Sequence, residues 1–133
     1  MSGYLLDTNT ISALMRAPRG PVAQRIARAG DANVFTSVIV AAELRFRALR
    51  KRSRRLLSEL DGLLTELEAK PLEAEAAVYY GRLRVALEVL GTPIGANDMF
   101  IAAHALSLDA TLVTDNDREF VRVEGLRVEN WLR

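Results

Sequence analysis

The stretch of sequence that decides the fold is Gly3-Tyr4-Leu5-Leu6-Asp7-Thr8-Asn9-Thr10. It opens with a short apolar run, which is typical of a buried strand, and the run ends at Asp7. The polar residues 8–10 then favour the start of a helix, and Ile11 and Leu14 follow with helical spacing. The chain therefore begins with a buried strand that passes directly into a helix.

This order of strand and helix recurs along the rest of the chain. Further strands are predicted at 34–36, 111–113 and 126–128. Further helices are predicted from Pro21 to just before Gly30, after Ser37, at about 54–68, at about 73–90, and at 98–108 with Asn97 as its N-cap. The alternation predicts an α/β fold, a sandwich in which helices cover a small, mainly parallel sheet. Ligands of such sheets bind beyond the carboxyl ends of the strands, so Asp7 and the turn at Thr114–Asp117 should share one edge.

Length and composition narrow the class of protein. A chain of 133 residues, 50% hydrophobic and 26% charged, is expected to form one domain over residues 1–133. Cysteine is absent, which excludes disulfides and thiolate metal sites. No apolar run approaches the roughly 20 residues of a membrane span, so we expect a cytoplasmic protein without membrane contact.

The net charge of +1 conceals an uneven distribution. Residues 1–57 carry eleven basic and three acidic side chains, whereas residues 58–133 carry seven basic and fourteen acidic ones. Sixteen of the eighteen basic residues are arginine. A split of this kind hints at a polyanionic partner.

Three carboxylates lie alone in apolar segments. Asp7 is the only charge in residues 1–15, and Glu43 and Asp98 are equally isolated within theirs. A lone carboxylate in apolar surroundings is costly unless it is paired, protonated or bound to a cation. Each also has a purely structural interpretation: a turn residue for Asp7, an ion pair with Arg47 for Glu43, and a first-turn helix acid for Asp98.

Taken with Asp115 and Asp117, these acids predict a cluster of four or five carboxylates. Because His104 is the only histidine and cysteine is absent, the cluster suits a hard cation, Mg²⁺ or Mn²⁺. Such an ion can activate water for attack on a phosphodiester. The acids would repel a nucleic acid, so the metal and the arginines are needed to reverse the local charge.

Four segments in this order resemble PIN-domain ribonucleases, in particular the VapC-like toxins of type II toxin–antitoxin systems. They are Leu5-Leu6-Asp7-Thr8-Asn9-Thr10-Ile11-Ser12, Ser37-Val38-Ile39-Val40-Ala41-Ala42-Glu43-Leu44, Ile94-Gly95-Ala96-Asn97-Asp98-Met99-Phe100-Ile101-Ala102-Ala103-His104-Ala105 and Leu112-Val113-Thr114-Asp115-Asn116-Asp117-Arg118-Glu119-Phe120. The resemblance implies a parallel-sheet sandwich and metal-dependent endonucleolytic cleavage of RNA. It also implies a homodimer and a cognate VapB-like antitoxin, whose C-terminal segment lies in the active-site groove and whose N-terminal domain binds operator DNA.

The resemblance also implies a set of site residues. The first metal ligand of the family falls on Asp7, its helix acid on Glu43 and its third carboxylate on Asp98. A Thr-x-Asn pattern falls on Thr114-Asp115-Asn116, so that Asn116 takes the fourth acidic position and Asp115 or Asp117 could supply the missing charge. Thr8, Asn9 and Thr114 are expected to orient the ligands or the phosphate.

Residues 45–55 hold seven basic side chains and no acid: Arg45, Arg47, Arg50, Lys51, Arg52, Arg54 and Arg55. They are either a solvated helix face or a rim that binds RNA phosphates or an acidic antitoxin segment. His104 is expected to be a packed or surface residue rather than a general base. Tyr79, Tyr80 and Trp131 are expected to pack rather than to stack on bases.

Two rival functions belong to other classes. The first is a degenerate PIN domain that binds RNA or an antitoxin without cutting, which the asparagine at position 116 motivates. The second is a receiver-like phosphoryl-transfer domain with Asp7 as the phosphorylated residue. The second ranks last, because Asp7 has no acidic neighbour and the only lysines are Lys51 and Lys70.

Overall fold

The computed structural model describes residues 3–132 and contains a five-stranded sheet in which every pair of neighbouring strands is parallel. The helices are α1 (Thr8–Arg16), α2 (Pro21–Ala29), α3 (Val38–Arg50), α4 (Arg54–Glu66), α5 (Glu75–Leu90), α6 (Ala96–Ser107) and α7 (Asp117–Phe120). The strands are β1 (Tyr4–Leu6), β2 (Val34–Ser37), β3 (Ala69–Lys70), β4 (Thr111–Val113) and β5 (Val128–Glu129), and their order across the sheet is β3-β2-β1-β4-β5. The predicted α/β fold with a parallel sheet is confirmed.

The central strand β1 sets the register of the whole sheet. Leu6 pairs with Thr36 on one side and with Val113 on the other. The next residue, Asp7, donates its backbone N–H to the Val113 carbonyl at 2.9 Å. The carboxyl ends of β1, β2 and β4 therefore meet, and the predicted common edge for Asp7 and the turn after β4 is confirmed.

The core lies on both faces of this sheet. Leu5, Leu6, Leu112 and Val113 are completely buried, as expected for strands covered by helices on either side. Trp131 is 2% exposed and its ring centroid lies 5.2 Å from that of Tyr4, so the C-terminal segment is anchored against the first strand.

Tyr79 and Tyr80, which were also predicted to pack rather than to stack on bases, both lie on α5. The Tyr80 ring stacks on Phe100 of α6 at 4.3 Å between centroids, and Tyr79 is half-buried against the core. Together with the buried Trp131, these contacts confirm packing roles for all three aromatic residues.

Three element predictions were wrong in detail. The two-residue strand β3 was not predicted, because it is too short to leave a periodic pattern. The last strand is Val128–Glu129 rather than 126–128, because β5 pairs with β4 only at Val128 and Glu129. Helix α6 begins at Ala96 with Gly95 as its N-cap, so Asn97 is not the cap and lies inside the first turn.

Other local predictions hold. Ser37 caps α3 by accepting from the Ile39 N–H at 3.0 Å, and Gly91 ends α5 in the left-handed conformation at φ 70°. Within residues 3–132, no helix is both long and apolar enough to cross a membrane.

Candidate active site

The site is built around Asp7, at the point where the central strand becomes a helix. Asp7 caps α1: its Oδ1 accepts from the Thr8 N–H at 2.7 Å, and its Oδ2 accepts from the Thr114 hydroxyl at 2.8 Å. The residue is 3% exposed. Both carboxylate oxygens therefore have a donor, and the carboxylate is held in one orientation.

Glu43 of α3 is held close to Asp7 by the neighbouring threonine. The Thr8 hydroxyl donates to Glu43 Oε2 at 2.9 Å, so that Thr8 bonds both acids, one through its backbone and one through its side chain. Arg47 lies one turn further along α3, 3.5 Å from the same oxygen. The other oxygen, Oε1, accepts from the Asn97 amide at 3.1 Å. The predicted Glu43–Arg47 pair thus exists, but as one of three contacts.

Asp98 faces these acids from the first turn of α6. It is half-buried, and among residues 3–132 no hydrogen bond or ion pair is found for its carboxylate. Burial, together with repulsion from Asp7, Glu119 and Glu43, raises the pKa of Asp98 to about 6. The position of Asp98 is therefore electrostatically unfavourable for an ionised carboxylate without a cation.

The fourth carboxylate of this group is Glu119 in α7, which sequence reasoning missed. After Asp7, it is the charge that most strongly raises the pKa of Asp98. Its Oε2 accepts from the Asn116 amide at 2.6 Å. Asn116, at the expected fourth position, thus lacks the charge itself but fixes a carboxylate three residues later. The sequence gives only weak evidence for this position: an acid three residues after Asn116 and directly before the buried Phe120.

The structure does not bring Asp115 and Asp117 into this group. Both side chains accept from the Asn130 amide, at 3.1 Å and 3.4 Å. Neither contributes to the raised pKa of Asp98. Their expected role in completing the site therefore stays a prediction, and Glu119 is the further acid that lies near Asp98.

Thr114 and Asn9 connect the turn after β4 to Asp7. The Thr114 hydroxyl, which donates to Asp7, also accepts from the Asn116 N–H at 3.0 Å and from the Asn9 amide at 3.4 Å. Asn9 Oδ1 accepts from the Asp115 N–H at 2.9 Å. Hydrogen bonds to the acids of the site or to the turn after β4 are made by all three residues expected to orient the ligands: Thr8, Asn9 and Thr114.

Asp7, like Asp98, lies where the ionised form of a carboxylate is disfavoured. Burial raises its pKa, and Glu43 raises it further, while the bonds from Thr8 and Thr114 and the nearby Arg47 lower it. In the part of the chain that the structure describes, no three Asp, Glu or His side chains stand close enough to hold an ion without adjusting. The donor set still fits Mg²⁺ or Mn²⁺: it consists of carboxylates alone, and their mutual repulsion is what a cation would relieve.

Comparison with known proteins shows which family the chain belongs to. The family model "PIN domain" matches residues 4–126, which include Asp7, Glu43, Asp98 and Glu119. The chain belongs to the PIN-domain family. The chain is 39% identical to ribonuclease VapC2 of Rickettsia felis over 130 residues, covering 96% of this chain and 97% of that protein. It is 33% identical to the tRNA(fMet)-specific endonuclease VapC of Salmonella typhimurium, over 98% of this chain and 99% of that one.

The same family is seen among solved structures. The fold superimposes on the Rickettsia felis VapBC2 complex bound to a promoter DNA fragment with a TM-score of 0.87 and 36% identity. That match covers 96% of this chain and 98% of the other. The chain is thus a VapC-type PIN domain.

Part of the basic segment of this PIN domain reaches the site. Arg47 contacts Glu43, and both Arg47 and Arg50 line a cavity that Glu43 also lines. Arg45 and Arg55 instead form ion pairs with Asp61 and Glu59 of α4. Lys51, Arg52 and Arg54 have no acidic partner within residues 3–132.

A groove of about 730 Å³ leads from the site between α1, α3 and α4. Its lining includes Asn9, four basic side chains and one acid, Glu59, which pairs with Arg55; the other three basic side chains are Arg16, Arg47 and Lys51. The charge split in the sequence therefore corresponds to a carboxylate site with a positively charged groove beside it.

His104 is packed, as expected. It is completely buried in α6, and its Nδ1 lies 2.8 Å from the Ser37 hydroxyl. The same hydroxyl accepts from the Ile39 N–H at 3.0 Å, so the ring packs against the N-cap of α3. Burial lowers the pKa of His104, which keeps the ring uncharged. It takes no part in the carboxylate group.

Proposed function

We propose that this chain is a metal-dependent endoribonuclease toxin of the cytoplasm, neutralised by a VapB-like antitoxin. The observation that carries the proposal is the convergence of Asp7, Glu43, Asp98 and Glu119 at one sheet edge, with an arginine-lined groove beside it. The names of the relatives, a ribonuclease and a tRNA-specific endonuclease, support the same activity. Glu119, which the Asn116 amide contacts, supports the cutting function over the non-cutting alternative, because it offers a carboxylate that Asn116 lacks.

Asp7, Asp98 and Glu43 would hold Mg²⁺ or Mn²⁺, and Glu119 would complete the set. When bound, the ion supplies an activated water and stabilises the charge that develops on the phosphate. The chain's own residues perform the positioning. Thr8 and Thr114 fix the orientation of Asp7, and Asn116 fixes Glu119. Arg47, next to Glu43, offers a cation to the entering phosphodiester.

The substrate we propose is RNA, bound along the arginine-lined groove. Backbone phosphates match the four basic side chains of that groove in charge, and binding of this type weakens as salt rises. One relative is named for cleavage of tRNA(fMet), and transfer RNA is therefore the first substrate to try.

The antitoxin we propose would compete for the same groove. The similar Rickettsia felis structure is a VapBC complex, which supports a VapB-like partner for this chain. An acidic C-terminal segment would meet the same four basic residues that RNA phosphates meet. Inhibition would then follow directly from exclusion of the substrate.

The expected homodimer stays a prediction, and α5 offers the surface we propose for it. Val78, Val85 and Val89 lie on one side of this helix, 50%, 63% and 80% exposed. An apolar stripe of this kind is more often an interface than free surface. Sedimentation of Val85→Lys against the native chain tests this, with a shift to the monomer expected and an unchanged dimer as the contrary result.

The activity is tested by incubating the purified chain with transfer RNA in Mn²⁺ or Mg²⁺, alongside Asp7→Asn. The native chain should cut, a chelator should stop it, and Asp7→Asn should be inactive. Equal cleavage by both proteins would show that the activity comes from a contaminant or from another site. Binding of RNA without any cleavage, in either metal, would favour the non-cutting module.

A further inference from the structure

Phe46 stands out on the exposed side of α3. It is 56% exposed, and among residues 3–132 it is the only aromatic residue that is mainly exposed. Its neighbours Leu44 and Ala48 point into the core, so the helix is already anchored without it. A single exposed apolar side chain is common on protein surfaces, so a role for Phe46 has to be argued from its surroundings.

The surroundings of Phe46 are those of the site, not of the core. It lies three residues after Glu43, on the neighbouring turn of the same helix. The Arg50 guanidinium lies 5.1 Å from the centroid of its ring. Glu43, Phe46, Arg47 and Arg50 line one cavity of about 480 Å³, which the Asn97 side chain closes from α6. A ring, two cations and a candidate metal ligand thus share one concave surface.

Arg47 connects this cavity to the arginine-lined groove, because it lines both. A strand lying in the groove would therefore meet the cavity at Arg47, where Glu43 and Phe46 also line it. The chemistry changes along this path. The groove offers cations and amides for phosphates, whereas the cavity adds the flat apolar face of an aromatic ring.

Building on the proposed cleavage of RNA, we propose that Phe46 and Arg50 form a stacking subsite for one unpaired base beside the cleaved phosphodiester. The base stacks on the Phe46 ring, and Arg50 and Arg47 face the phosphate next to it. Every base has a flat face, so the subsite favours single-stranded over paired RNA and is tolerant of sequence. It acts in binding and positioning, and no bond is made or broken by Phe46.

The charge around Phe46 favours a nucleotide over a second copy of this chain. Arg47 and Arg50 flank the ring, and an apolar partner surface would strip water from both guanidinium groups without replacing it. The valine stripe on α5 carries three apolar side chains on one helix face and suits a second copy better.

The test compares Phe46→Ala with Phe46→Tyr, using a short single-stranded oligoribonucleotide of mixed sequence as substrate. Phe46→Ala should raise KM about five- to twentyfold, the lower range for the loss of one stacked base, and leave kcat within about twofold. Phe46→Tyr keeps the ring and should behave as the native chain. Leu49→Ala is the matched control: Leu49 is 58% exposed on the same helix and lies outside the cavity.

A second measurement does not depend on cleavage. Trp131 is the only native tryptophan and is 2% exposed, so in Phe46→Trp a change in fluorescence reports the new side chain. With a chelator present, the single-stranded oligoribonucleotide should quench this emission, and a blunt duplex of the same sequence should quench it far less.

Three results would overturn the inference. The first is a Phe46→Ala chain that cleaves with the native KM, and the second is equal quenching by duplex and single strand. The third is a Phe46→Ala chain whose sedimentation changes while its KM does not, which would assign Phe46 to a contact between copies. A native chain that cuts no RNA would refute the proposed function, and the quenching would still decide the stacking subsite.

Discussion

The two halves of the carboxylate site are built differently. In the first half, Asp7 and Glu43 receive five donor contacts between them, from Thr8, Thr114, Arg47 and Asn97. In the second half, Asp98 has no donor within residues 3–132 and Glu119 has one, from Asn116. We call these the fixed half and the open half.

The difference separates two tasks that a metal site must perform. Hydrogen bonds to an ionised group contribute roughly 1.5–3 kcal/mol each, so the donors hold the carboxylates of the fixed half in one orientation. In the open half, no donor in the described part of the chain offsets the burial of Asp98 or its repulsion from Asp7, Glu119 and Glu43, which is why its pKa reaches about 6. The fixed half would therefore orient the ligands of a cation. The open half would attract the cation through the negative charge of Asp98, which no donor among residues 3–132 offsets.

The largest expected effect tests whether both halves serve one reaction. Asp7→Asn and Asp98→Asn should each reduce RNA cleavage by about a thousandfold, since each removes a charge from the same cation. The measurement is single-turnover cleavage with saturating Mn²⁺. If the Asp98→Asn chain retained more than a tenth of the native rate, the open half would not be needed for cleavage.

A smaller effect is expected when the fixed half loses a donor and keeps its charges. Thr114→Val removes the hydroxyl that donates to Asp7 and should lower Mn²⁺ affinity and cleavage about ten- to a hundredfold. Thr111→Val on the same strand is the control, because the Thr111 hydroxyl contacts Arg127 and not the site. Equal losses from both substitutions would indicate a general disturbance of β4.

Two residues are candidates for the fourth acid: Glu119 of the open half, and Asp115, which the sequence pattern indicated. Glu119→Gln should lower cleavage about tenfold, since one of four carboxylates loses its charge while Asn116 can still contact the amide. Asp115→Asn should leave the rate within about twofold, because the Asp115 side chain is directed to Asn130. The reverse ranking would restore the assignment that the Thr-x-Asn pattern alone indicated.

The smallest expected effect concerns stability. The pKa of Asp98 is about 6 in the folded chain and near 3.8 in the unfolded one, so stability is lost as pH rises from about 4 through 6. Asp98→Asn should therefore raise the Tm of the metal-free chain above pH 6, by roughly 3–5 °C after allowing for partial solvent screening. The gain should vanish below pH 4. A constant difference at all pH values would point to packing instead of charge.

The four acids differ in how far the sequence predicts them, and the difference does not follow the division into halves. Asp7, Glu43 and Asp98 could be predicted because each is a lone charge in an apolar segment, and such a charge needs an explanation. Glu119 could not, because it follows Asp115, Asp117 and Arg118, and one more acid beside these charges is not distinctive. Its role follows from the bond to Asn116 and the approach of α7 to α6, which depend on tertiary structure.

The fold shows the same limit. Buried strands such as Leu5-Leu6 and Leu112-Val113 leave a clear apolar signal, and their parallel pairing follows from the helices between them. The two-residue strand β3 owes its existence to its pairing with Thr36 and Ser37 and has no signal of its own. Asn97 was likewise misassigned as a cap, because the contact that defines it, to Glu43, spans 54 residues of chain.

Calorimetric titration with Mn²⁺ tests the central claim most directly, because it asks whether the fixed and open halves form one cation site without relying on any substrate. The native chain should bind Mn²⁺ saturably, and Asp98→Asn, which leaves every hydrogen bond of the fixed half in place, should lose that binding. No binding by the native chain, or equal binding by Asp98→Asn, would contradict the account.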